Sequence, residues 1–308
     1  MSSKGIHHIT AVAGDPQQNF EFYTQVMGMR MVKKTVNFDD PSVYHLYYGN
    51  EKGDPGTILT FFPWDHLKDG KPDAGQVVAI SFSVPTDAKA FWLSHLEEQG
   101  INFEDPFTRF GKEVIGLQDP NGLYLEIVMD PKANDLAGWD GGPVPSEFSI
   151  RGFHGATLAE KNYTKTGQLL EKHLGFKKTN QLDNRYLYET DAQLGATIEI
   201  IDQFDLHGRE GKGTVHHIAF RAEDEQEQFD ICQKLEFKGY YLTEIKDRQY
   251  FKSVYFHEPG GILFEIATDP PGFLVDEDLD ELGTKLKLPE WLETHRHNIE
   301  RELTKLTS

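Results

Sequence analysis

Cysteine occurs once in the 308 residues, at Cys232, so no disulfide framework holds this chain together, and such usage fits a reducing compartment. Basic residues are scarce. The 31 Lys and Arg stand against 50 Asp and Glu, a formal net charge of −19. That balance argues against nucleic acid or an anionic membrane as partner, because their phosphates would be repelled. No apolar run approaches the roughly 18 residues that a membrane span needs. The opening Met1-Ser2-Ser3-Lys4-Gly5 runs straight into an apolar stretch with no signal-peptide core, so a cytoplasmic protein is expected. Aromatic residues, in contrast, are plentiful. With 21 Phe and 12 Tyr the chain can build a sizeable core, and its length suits two compact domains or one domain made by duplication.

Duplication is visible in the sequence as four copies of a βαβββ unit. The first opens at Ile6-His7-His8-Ile9-Thr10 and enters a helix at Pro16, with Asp15 as N-cap and Phe20, Tyr23, Val26 and Met27 on one face. Strands follow over 43–48 and 57–62. The second copy has strands over 78–84 and 123–128 around a helix carrying Phe91, Trp92, Leu93 and Leu96. The third has strands over 152–158 and 196–201 and a helix with Leu169, Leu170 and Leu174. The fourth opens at Val215-His216-His217-Ile218-Ala219, places Phe229, Ile231, Cys232 and Leu235 on its helix, and closes over 262–267. Asp119-Pro120-Asn121-Gly122 and Glu258-Pro259-Gly260-Gly261 precede the last strands of copies two and four, supplying the positive φ that a tight turn requires.

The predicted class is α+β: four βαβββ modules arranged as two pseudo-symmetric halves, with a C-terminal helical tail. The divisions fall at 1–130 for the first two modules, 131–149 for a linker rich in Pro, Gly and Asp, 150–269 for the last two modules, and 270–308 for the tail. Leu292, Ile299, Leu303 and Leu306 give that tail an amphipathic pattern suited to packing on the body.

Candidate chemistry rests on the two His doublets and on Glu265, which interrupts an otherwise apolar strand. A lone His on a strand is ordinarily structural. Two aligned doublets and a mid-strand carboxylate are different, because a carboxylate buried in a core strand is costly unless paired or metal-bound. Imidazole nitrogen and carboxylate oxygen suit Fe(II), Mn(II) or Zn(II). Side chains alternate faces along a strand, so one His of each doublet faces the concave side. Aligning the copies places His8, Ala79, His154 and His217 at the first-strand position, and Thr60, Glu126, Glu199 and Glu265 at the last-strand position. If copies one and four pair, the site is His8, His217 and Glu265, with Thr60 at an empty fourth place. If copies three and four pair, it is the closed set His154, Glu199, His217 and Glu265. Under the first pairing, Ala79, Glu126, His154 and Glu199 form a second cluster, read as the vestige of a site rather than a second metal site.

The repeats and the His and Glu placements resemble the vicinal oxygen chelate superfamily, which includes glyoxalase I and extradiol dioxygenases. More narrowly, His7-His8-Ile9-Thr10, Tyr44-His45-Leu46-Tyr47-Tyr48, Gly53-Asp54-Pro55-Gly56-Thr57 and Val215-His216-His217-Ile218-Ala219 resemble hydroquinone-specific ring-cleaving dioxygenases. The resemblance covers nearly the whole chain. It implies Fe(II), with Mn(II) also accepted, held by His8, His217 and Glu265, and polar groups around the substrate at His7, Thr10, His216, Arg248 and Tyr255. It also implies a small aromatic para-diphenol and O2 as the partners, in aromatic catabolism or detoxification. His7 or His216 would then be the general base, Tyr255 an acid or oxyanion partner, and Arg248 a counter-charge. The alternatives are a glyoxalase-type metal-dependent lyase or isomerase, which would want a fourth ligand where Thr60 stands, and a non-catalytic aromatic- or quinone-binding protein. Edge strands of such modules are also available for association into a homo-oligomer.

Overall fold

The computed structural model describes residues 4–202 and 208–307; Met1 to Ser3, at the head of the sequence just considered, lie outside the described residues. Four βαβββ modules succeed one another along the chain. The first contributes β1 (Ile6–Ala13), β2 (Arg30–Asn37), β3 (Asp40–Gly49) and β4 (Ile58–Pro63), and the second β5 (Gln76–Val84), β6 (Phe107–Arg109), β7 (Lys112–Gln118) and β8 (Tyr124–Met129). The third contributes β9 (Gly152–Glu160), β10 (Lys177–Leu182), β11 (Arg185–Glu189) and β12 (Thr197–Asp202), and the fourth β13 (Val215–Ala222), β14 (Lys246–Asp247), β15 (Lys252–His257) and β16 (Leu263–Thr268). Between the first and second strands of each module runs a helix: α1 (Pro16–Glu21), α2 (Lys89–Glu98), α3 (Tyr163–His173) or α4 (Glu225–Phe237).

The local chemistry explains these elements. Asp15 accepts the Gln18 amide at 2.8 Å and caps α1, which continues into a π-helical turn over Phe22–Val26. Tyr23, Val26 and Met27 on that segment are buried. In the turn before β8, the Asp119 carboxylate accepts the amides of Asn121 and Leu123 at 2.8 and 2.9 Å. Glu258 does the same for Ile262 before β16 at 2.9 Å. On α4, Ile231 and Leu235 are buried, but Phe229 turns outward and is half exposed.

The strands form two eight-stranded sheets, in the orders β14-β15-β16-β13-β1-β4-β3-β2 and β10-β11-β12-β9-β5-β8-β7-β6. β1 pairs antiparallel with β13 and β5 with β9, so module one joins module four, and module two joins module three. Among the described residues the three-with-four pairing does not occur. Each sheet therefore takes one module from each half of the sequence. A shared apolar core, with Ile9 and Leu59 from one sheet and Phe82 and Ile127 from the other, lies beneath both. The tail carries two 3-10 turns, Phe273–Val275 and Leu279–Glu281, and then two short helices, α5 (Glu290–Glu293) and α6 (Arg296–Glu302), in place of one continuous helix; Ile299 and Leu303 pack on Val36 with Leu288. Among the described residues no helix is long and apolar enough to cross a membrane.

Candidate metal centre

Strand register fixes which residues of the four modules are equivalent. In the parallel pair formed by the first and last strands, Thr10 lies opposite Thr60, Ser81 opposite Glu126, Thr157 opposite Glu199 and Ala219 opposite Glu265. Two residues earlier stand His8, Ala79, Gly155 and His217. Gly155, not His154, is thus the third-module counterpart of His8, and His154 matches His7. This corrects the sequence alignment by one residue, which on a strand means the opposite face. His154 instead places Nδ1 2.8 Å from an Asp130 carboxylate oxygen.

In the sheet of modules one and four, β1 and β13 are adjacent, so His8 and His217 meet across their antiparallel pairing, and β16 brings up Glu265. His8 Nε2 and His217 Nε2 are 3.3 Å apart, and they lie 3.3 and 3.1 Å from Glu265 Oε2. All three residues are buried, Glu265 completely. Among the described residues this is the one trio of His, Cys, Asp or Glu donors that converges within 4.8 Å. The first His of each doublet stands behind the second: His7 Nδ1 is 2.9 Å from His8 Nδ1, and His216 Nδ1 is 2.8 Å from His217 Nδ1. With His8 and His217 donating through Nδ1–H in these contacts, each keeps an Nε2 lone pair aimed at the cluster.

The donor set fits a divalent cation. Neither carboxylate oxygen of Glu265 has a hydrogen-bond donor, although the side chain is wholly enclosed, and a bare buried carboxylate requires a cation to offset its lost hydration. Burial alone would raise the Glu265 pKa, but His8 and His217 outweigh it and hold the carboxyl well below its ordinary range. Burial lowers His217 to about 4, with Glu265 opposing that shift. At neutral pH His217 is therefore a neutral imidazole and Glu265 an ionised carboxylate, the states in which each binds a metal.

Beside the cluster opens a cavity of about 460 Å³. Phe62 and Trp64 form an aromatic wall against His216, with ring centroids 5.7 and 6.4 Å from it. On the other side, Arg248 Nε lies 3.4 Å from the Tyr255 hydroxyl, and a second guanidinium nitrogen is 3.0 Å from Asp39. Burial raises the Tyr255 pKa, and nearby Glu265 raises it further. Burial lowers that of His216. Of the five polar residues named from the sequence, His216, Arg248 and Tyr255 line this cavity, whereas His7 is sealed behind His8 under Phe251, and Thr10 is buried with its hydroxyl 2.8 Å from Thr60. Sequence reasoning assigned no role to His45, Tyr47, Phe62 or Trp64, which the structure also brings to the wall. The signal was the period of two in His45-Leu46-Tyr47, which puts both polar rings on one face.

In the second sheet guanidinium groups stand between the equivalent carboxylates. Arg109 donates to both oxygens of Glu126 at 2.8 and 2.5 Å and to Glu199 at 3.0 Å. Ser81 donates to Glu126 and Arg185 to Glu199, each at 2.6 Å.

Comparison with known proteins agrees with this geometry. The model of the Glyoxalase/Bleomycin resistance protein/Dioxygenase superfamily matches residues 5–127 and 152–275. MhqO of Bacillus subtilis (strain 168), provisionally named a ring-cleaving dioxygenase, is 46% identical over 97% of this chain and 95% of its own length. The chlorohydroquinone/hydroquinone 1,2-dioxygenase of Sphingobium indicum is 32% identical over 97% of this chain and 96% of its own. A crystal structure of a provisionally named dioxygenase from Bacillus subtilis subsp. subtilis str. 168 superposes with a TM-score of 0.96 at 44% identity, covering 99% of this chain and 98% of that one. Glyoxalase I from Zea mays, at 15% identity and a TM-score of 0.64 over 87% of this chain and 93% of its own, shares the fold. This chain belongs to the glyoxalase/bleomycin resistance protein/dioxygenase superfamily, among its ring-cleaving dioxygenases.

Proposed function

We propose that this protein is a cytoplasmic Fe(II)-dependent dioxygenase that opens hydroquinone-type rings, para-diphenols such as methyl- or chloro-hydroquinone, and incorporates both atoms of O2. The observation that carries this reading is a three-donor cluster, with a threonine at the fourth ligand place, opening on an aromatic-walled cavity that holds one arginine and one tyrosine. The 32% identity to a hydroquinone 1,2-dioxygenase supports the substrate class. His8, His217 and Glu265 would hold the metal, and Mn(II) suits the same donors. When bound, the metal supplies Lewis acidity and a path for electrons from ring to O2.

The chain's own residues do the rest. His7 and His216 keep His8 and His217 in the tautomer that presents Nε2. His216 is half-buried at the cavity and kept neutral by burial, and with Nδ1 accepting from His217 it carries its proton on Nε2, so it donates a hydrogen bond to the ring oxygen that has lost its proton to solvent. The Arg248 guanidinium balances the negative charge left on that oxygen. Tyr255, protonated at neutral pH, donates a hydrogen bond to it. Thr10 acts from behind, through Thr60. A glyoxalase-type lyase would take its fourth ligand from the place that Thr60 fills.

Oxygen uptake tests the proposal. Anaerobically iron-loaded protein is offered 2-methylhydroquinone, with catechol and a methylglyoxal–thiol adduct in parallel. Uptake with the hydroquinone, lost in His8→Ala, is expected. Turnover of the thiol adduct without oxygen uptake would replace the dioxygenase with a lyase.

A further inference from the structure

The register that places Glu265 opposite Tyr255 in β15 and β16 places Thr60 opposite Tyr47 in β3 and β4. Tyr47 is thus the internal counterpart of Tyr255, on the other flank of the metal cluster, and both line the same cavity. The two tyrosines are served differently. Tyr255 has a charged neighbour, Arg248. The Tyr47 hydroxyl lies 2.8 Å from Nδ1 of His45, and His45 Nε2 lies 2.8 Å from Oγ1 of Thr60. Thr60 Oγ1 in turn lies 2.8 Å from Oγ1 of Thr10.

This four-membered chain is neutral throughout. Burial holds His45 well below the ordinary imidazole pKa and Tyr47 well above the ordinary phenol pKa. The His45 ring is fixed between Tyr47 and Phe62, with centroids 4.0 and 4.4 Å away. The three other modules carry Glu where the first carries Thr60, and a carboxylate there could not pass a hydrogen bond on to Thr10. The residue that leaves the fourth ligand place empty is therefore also the one that anchors His45. When the chain runs from Tyr47 to His45 to Thr60 to Thr10, each member donates to the next. The Tyr47 oxygen then keeps free lone pairs, an acceptor for a hydroxyl entering the cavity.

We propose that Tyr47, held in place by His45, receives the second hydroxyl of a diphenolic ring and so sets a preference for diphenols over monophenols. This rests on the aromatic-substrate reading above. A ring without that hydroxyl leaves the enclosed Tyr47 acceptor unpaired, which is how sites built to bind a hydroxyl reject its absence. Tyr47 is a binding residue in this scheme and His45 a positioning residue.

The test is anaerobic titration of the iron-loaded protein with hydroquinone and with phenol. Wild type is expected to bind hydroquinone at least about tenfold more tightly than phenol. Tyr47→Phe, which keeps the packed ring, should bring the two affinities together by weakening hydroquinone alone. His45→Leu should do the same, and His45→Asn, which keeps an acceptor near the place of Nδ1, should restore part of the preference. A structural role for His45 would not give that rescue. An unchanged ratio in Tyr47→Phe, equal weakening of both rings, or no preference in wild type would overturn the proposal. Oxygen uptake is read separately. Its absence with the binding ratios as expected would sink ring cleavage and leave this assignment standing, and its presence with an unchanged ratio would sink this assignment alone.

Discussion

In the sheet of modules one and four, the equivalent positions hold His8, His217, Glu265 and Thr60; in the sheet of modules two and three they hold Ala79, Gly155, Glu126 and Glu199. The second sheet keeps both carboxylates and loses both imidazoles. It could not easily regain one, since a Cβ at Gly155 would lie 2.1 Å from the Thr197 carbonyl oxygen. Its charges are balanced from within, Arg109 and Arg185 standing where the first sheet has two imidazoles and room for a cation. Burial would raise the Glu126 pKa, but Arg109 outweighs it and the carboxyl stays ionised. One duplicated unit thus meets the same electrostatic requirement in two ways: internal guanidinium groups give a structural joint, and an external cation would give a metal site.

Removing a metal ligand should have the largest effect on function. Glu265→Gln or His217→Ala is expected to abolish oxygen uptake and to weaken metal binding by more than the roughly 100-fold that loss of an outer partner costs, measured by metal analysis after dialysis. The largest effect on stability should come from the other sheet. Arg109→Met leaves Glu126 buried without a cation and Glu199 with Arg185 alone, at a cost of about 3–5 kcal/mol, read by urea denaturation. The folded fraction should keep its metal and its activity. Adding Glu126→Gln should recover much of the lost stability, because Glu199 keeps Arg185.

Acid should separate the two sheets further. In the unfolded chain His217 titrates near 6.5, and in the folded apoprotein burial holds it to about 4. As the pH falls below about 6.5 the unfolded chain takes up a proton that the folded one refuses. Stability that is complete above 6.5 is therefore lost progressively toward 4. Metal binding weakens in the same window. Glu126, whose carboxyl is depressed from 4.5, contributes stability that is retained until the pH drops below that value. Denaturation of apoprotein at about pH 7.5 and pH 5 should show a fall that His217→Gln reduces and Glu126→Gln does not. The smallest effect is expected from His154→Ala. It should lose about 1–3 kcal/mol with the Asp130 contact and leave metal content unchanged.

The repeats, the two doublets and the mid-strand Glu265 were legible because each is a local pattern. Pairing was not, because strand order is set by long-range packing; the residues alone left the one-with-four and three-with-four arrangements both open, and only the family resemblance favoured the first. The one-residue slip at His154 has the same origin. Phe153-His154-Gly155 looks like half a doublet until the partner strand supplies the register. Arg109 was invisible as a counter-ion because it reaches Glu126 from two strands away in the sheet and Glu199 from five. Tyr47 could be related to Tyr255 only once Thr60 and Glu265 were known to be equivalent.

The account stands most directly on where the metal binds. Metal content of wild type, His217→Ala and Glu199→Gln should be measured side by side after iron loading and dialysis. One iron per chain in wild type and Glu199→Gln, with none in His217→Ala, is the predicted result. Two irons in wild type, or loss of metal on changing Glu199, would contradict it.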